Sequence, residues 1–89
     1  MSFEIQQITD DLYKEHIIMR RAVSRIAKIL MSNQGEQVGE LPEYQKQVDR
    51  WSRAHIKAMA FAHALSHLTN ESEVVIYQKA YDYVNRNRD

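Results

Sequence analysis

The sequence predicts an all-α fold: a long antiparallel two-helix hairpin with a shorter third helix, a three-helix bundle that is expected to dimerise. Three observations predict it. Two glycines and one proline in 89 residues leave room for few turns and therefore for a few long helices. Apolar residues recur at alternating spacings of three and four in both halves, as on the buried face of a packed helix. A single stretch from Ser32 to Glu40, SNQGEQVGE, has clear loop composition.

The first helix is predicted over residues 3–31. Ile5, Leu12, Met19 and Ile26 recur every seven residues, and Thr9, His16, Val23 and Leu30 follow each by four. Acidic residues (Glu4, Asp10, Asp11) precede basic ones (Arg20, Arg21, Arg25, Lys28), which complements the helix dipole. In the loop, Asn33, Gly35 and Gly39 suit left-handed backbone angles and a chain reversal.

The second helix is predicted over residues 42–68, with Pro42 in its first turn. Its seam is Leu41, Tyr44, Val48, Trp51, His55, Ala58, Ala62 and Leu65. The third is predicted over residues 71–87 and carries Val74, Tyr77, Ala80, Tyr81 and Val84 as a stripe. Asn70 with Glu73 three residues later has the spacing of a capping box that restarts the helix.

A short loop makes the long helices antiparallel neighbours. Closing the hairpin pairs two flanks. Ile8, Ala22 and Ile29 meet Ala54, Phe61 and Leu68, and the third helix is expected to dock there. On the other flank Tyr13 and Ile17 meet Ile56 and Met59, with His63 alongside, and nothing in the chain is expected to cover them. That patch is the predicted protein interface, for a second copy or for an unidentified protein partner. Tyr83 falls off the stripe of the third helix and reads as an external contact.

Composition narrows the function. Twelve basic residues balance twelve acidic ones, so net charge argues for neither nucleic acid nor an anionic membrane. There is no cysteine, which excludes disulfides and thiolate chemistry and suits a reducing cytoplasm. No apolar run is long enough to span a membrane. Basic residues do share helix faces: Lys14, Arg21, Arg25 and Lys28 on the first helix, and Lys46, Arg50, Arg53 and Lys57 on the second. Such stripes can track phosphates, although the two faces are expected to point apart.

Histidines are the remaining chemistry. His63 and His67 stand four apart, a spacing that can bind metal, while His16 and His55 occupy seams. No acidic residue lies three before any histidine, so the Glu-x-x-His pairs of a di-iron bundle are missing. His16 and His55 are therefore expected to be partly buried and hydrogen-bonded, and His67 solvated, with no metal or other cofactor. No nucleophile motif, phosphate loop or HExxH is present. The expected function is that of a small, non-catalytic, cytoplasmic interaction or regulatory protein, acting as a homodimer. Nucleic-acid binding through the basic stripes is the alternative, and a histidine-based metal site inside the bundle comes after it.

Overall fold

The structure is a computed structural model that describes residues 2–34 and 37–86. It is all-helical, with three helices packed as a bundle. Helix α1 runs Phe3–Ser32, α2 Pro42–Thr69 and α3 Glu73–Arg86, and a 3₁₀ turn, Val38–Glu40, precedes α2. The side chain of Ser2 caps α1 by accepting from the Ile5 amide at 3.2 Å. Pro42 opens α2 as expected.

The long helices are antiparallel: Ile5 and Thr9 lie across from Leu65 and Thr69 at one end, and Arg25 lies across from Lys46 and Arg50 toward the other. Ala54, Ala58 and Ala62 of α2 and Ala22 of α1 are all buried. Small side chains let the two backbones approach closely. Leu12, Met19, Leu65, Ile76 and Ala80 complete the core with them.

Helix α3 does not lie on the flank expected for it. It covers the flank that was expected to stay open, and the flank lined by Ala54 is left uncovered. The turn between α2 and α3 explains the choice. Asn70 ends α2 with φ 61°, its amide bonded to the Ser66 carbonyl at 2.9 Å. The Ser66 hydroxyl donates to the Glu71 carbonyl at 2.7 Å. Ser66 shares a face of α2 with Met59 and His55, at spacings of seven and four, so the chain folds back over that side. Arg20 of α1 then donates to the Val84 carbonyl near the end of α3, at 3.2 Å.

Other details also depart from the sequence reading. Asn70 is the C-cap of α2, not the N-cap of α3, because its left-handed backbone is incompatible with a helix start. It is the only non-glycine residue with positive φ among those described. Asn33 has φ −126°, and its side chain instead donates to the Ile29 carbonyl at 2.8 Å. Gly35 and Asn87 lie outside the described residues. Helix α3 has 14 residues against 30 in α1, so it stops short of the loop end. Val23 and Leu30 occupy seam positions yet are 52% and 47% exposed. In α2 it is Gln47 that is buried, and its neighbour Val48 that is exposed.

Candidate functional site

The uncovered flank of the hairpin is a basic groove. Arg21 and Arg25 from α1 and Lys46, Arg50, Arg53 and Lys57 from α2 line it together with Glu15 and Asp49. Half of the chain's twelve basic residues are thus gathered here, against two carboxylates. Buried Ala54 and half-buried Ile18 supply its apolar lining, and the cavity measures about 530 Å³. The two basic stripes therefore do not point apart. The alanine contact brings the helices so close that long side chains on both shoulders reach one valley, with their aliphatic stems along its walls.

Arg53 is paired to Asp49 at 3.1 Å. Among the described residues, Arg21, Arg25, Lys46, Arg50 and Lys57 have no carboxylate within 4.0 Å. Their charges are solvated and available to an incoming anion. Lys14 and Lys28 are exposed and lie outside this groove. The basic residues of α2 that line it run from Lys46 to Lys57, a rise of about 17 Å along the helix.

The residues of the expected protein interface are separated by α3. Tyr13 stacks on Tyr83, with ring centroids 5.1 Å apart and 16° between planes, so Tyr83 is engaged within the chain. Ile17 is half-buried. His63 Nδ1 lies 3.3 Å from the Glu73 carboxylate. Met59 lines a shallow apolar depression with Val74 and Tyr77. Ile56 is 66% exposed and stands on the outer face of α2.

The histidines divide into two sets. His16 and His55 flank Tyr77. The His16 ring meets it edge-on with centroids 4.6 Å apart, and His55 Nδ1 lies 2.9 Å from its hydroxyl. His55 also stacks on Trp51 at 4.9 Å. His16 is 2% exposed, and its Nε2 has no hydrogen-bond partner in the chain. Burial first, and the proximity of His55 second, push its pKa down to about 4. It is neutral near pH 7. Burial, with a lesser contribution from Tyr81, raises the pKa of Tyr77. The second set is His63 and His67, whose Nε2 atoms face each other at 3.2 Å on the solvent side of α2.

The two sets do not meet. Among the described residues no three histidine or acidic side chains converge as a metal centre, in the bundle or on its surface. Sequence reading missed Glu73 as the partner of His63 and Gln47 as a buried polar group. The Glu73 pairing depends on the turn geometry at Asn70, which no local spacing discloses. Comparison with protein-family models, curated proteins and solved structures finds no match to this chain.

Proposed function

We propose that this is a non-catalytic binding protein whose basic groove holds the phosphate backbone of a nucleic-acid duplex. The observation that carries the proposal is the convergence of six cationic side chains from two helices, five of them without a carboxylate partner. Phosphate neutralisation releases condensed counterions, and that release supplies most of the sequence-independent affinity. The α2 run of about 17 Å matches the rise of roughly five nucleotides of one strand at about 3.4 Å each.

The character of the lining selects the kind of target. Among the described residues no aromatic ring lines the groove, so they offer no base-stacking platform for single strands. No asparagine or glutamine lines it either, so there is no side chain for amide readout of adenine. Contact with duplex phosphates fits this lining, whose arginines and lysines are also its only candidates for reading guanine. The near-zero net charge confines attraction to close approach, because screening acts within about 8 Å at physiological salt.

The test is a fluorescence-anisotropy titration of a short DNA or RNA duplex across a salt series. With five contacts the slope of log affinity against log salt is expected to be about −4.5, and Arg21→Ala or Arg50→Ala should each flatten it by about one. An affinity indifferent to salt, or no binding at about 50 mM salt, would overturn the reading.

Self-association is a second reading, favoured by a separate observation. Helix α3 ends before the loop half of the hairpin, which leaves Val23 and Leu30 half exposed at seam positions. A second hairpin packed there would complete a four-helix layer and enlarge a small core. Light scattering across a dilution series should then give a dimer that Val23→Asp with Leu30→Asp dissociates. A monomer at every concentration would exclude it. Ile56→Asp tests the originally expected patch in the same assay. A cysteine-free chain supports a cytoplasmic setting, and among the described residues no helix is long and apolar enough to cross a membrane.

A further inference from the structure

We propose that His63 and His67 are the protein ligands of a divalent transition-metal ion, with Glu73 as the positioning residue. The spacing of the two rings suits a chelate. The two Nε2 atoms lie 3.2 Å apart. An ion at about 2.05 Å from each nitrogen would subtend an N–metal–N angle of about 103°, close to the roughly 109° of a tetrahedron. Residues four apart on one helix turn supply this spacing with no movement of the backbone.

Glu73 lies 3.3 Å from His63 Nδ1 and can accept a ring proton from that nitrogen; in that tautomer the His63 Nε2 lone pair faces His67. A carboxylate behind a ligating imidazole is the usual arrangement that fixes ring orientation and raises ligand basicity. Glu73 is itself held in place. Asn70 closes the end of α2, Ser66 bonds Glu71 across the turn, and Glu71 forms an ion pair with Lys79. Lys79 is thereby occupied by Glu71 rather than by Glu73. In that tautomer, and without metal, His67 Nε2–H would donate to His63 Nε2 across the 3.2 Å contact. On binding, His67 moves its proton to Nδ1 and presents the Nε2 lone pair to the ion, with no net change in protonation.

The His63 side chain is 61% exposed, so the remaining coordination positions open to solvent and are filled by water. Two imidazoles suit Zn²⁺, Ni²⁺ and Cu²⁺, and exclude the oxygen-preferring Mg²⁺ and Ca²⁺. The site is separate from the basic groove, which lies on the other flank of α2.

The experiment is isothermal titration of untagged protein with ZnCl₂, with the histidine ring protons followed by NMR. One ion per chain is expected, with shifts confined to His63 and His67 and none at His16 or His55. His63→Ala and His67→Ala should each abolish binding; both residues are exposed and alanine is the strongest helix former, so both variants keep the fold. Glu73→Gln retains both ligands and should weaken binding about tenfold. Absence of heat and of ring-proton shifts at millimolar zinc, or unchanged binding in His67→Ala, would overturn the proposal.

Discussion

The Tyr77 hydroxyl lies 2.9 Å from Nδ1 of His55, and this contact ties α3 to α2 at the middle of the bundle. The same ring packs edge-on to His16 of α1, and its hydroxyl lies 3.9 Å from the Met19 sulfur. One side chain therefore touches both partner helices. Tyr77→Phe keeps the ring contacts and removes only the hydroxyl. It is expected to cost about 1 kcal/mol, or about 4–8 °C in melting temperature. An unchanged melting curve would show that the hydroxyl contact adds no stability.

His16 makes stability depend on pH. Its folded pKa is lowered to about 4 from an ordinary value of 6.5. Between these values the unfolded chain binds the proton and the folded chain does not. Stability is therefore full above pH 6.5 and falls as pH drops toward 4. Urea unfolding should show a loss of about 2 kcal/mol from pH 7 to pH 5. His55, Tyr77 and Tyr81 face the ring, and Arg20 lines the same cavity. In His16→Gln the slope over this window should be lost; a slope that persists would assign it elsewhere.

Gln47 is 1% exposed; its Nε2 donates to Glu43 at 2.9 Å, while its Oε1 has no partner in the chain. A buried unpaired carbonyl costs about 1–3 kcal/mol, and the surviving bond returns about 1. Gln47→Met keeps the shape and removes the polar atoms, so it should stabilise by about 1 kcal/mol. Denaturant titration that finds the variant weaker would mean that Gln47 is better satisfied than its geometry shows.

Asn70 carries the left-handed backbone that turns α2 into α3. Asn70→Ala should destabilise by about 1 kcal/mol, since a Cβ without a side-chain hydrogen bond is disfavoured there. Asn70→Gly should match or exceed the parent. Equal stabilities for Ala and Gly in thermal melts would remove backbone conformation as the reason for asparagine here.

The helices were legible in the sequence because their seams repeat. Leu12, His16, Met19, Ala58, Ala62 and Leu65 all lie buried where the spacing placed them. The side on which α3 docks was not legible. Both flanks carry apolar residues, and the decision rests on Ser66 and Asn70, polar residues whose turn bonds direct the chain. Burial of Gln47 in place of Val48 was hidden for a similar reason: composition favours valine inside, while the close approach of the helices selects by angle. The basic groove was half legible. The stripes could be read from spacing, but their convergence depends on buried alanines that shorten the distance between axes.

The mismatch between a 14-residue α3 and a 30-residue α1 divides the molecule by rigidity as well as by shape. Amides in the half crossed by all three helices are expected to exchange most slowly. Those of the hairpin beyond Ala27, where α3 no longer reaches, are expected to exchange through smaller local openings. Lys46 and Arg25 stand toward that looser part while Lys57 stands in the firmer one. The groove thus has a more fixed end at Lys57 and a more adjustable end at Arg25 and Lys46.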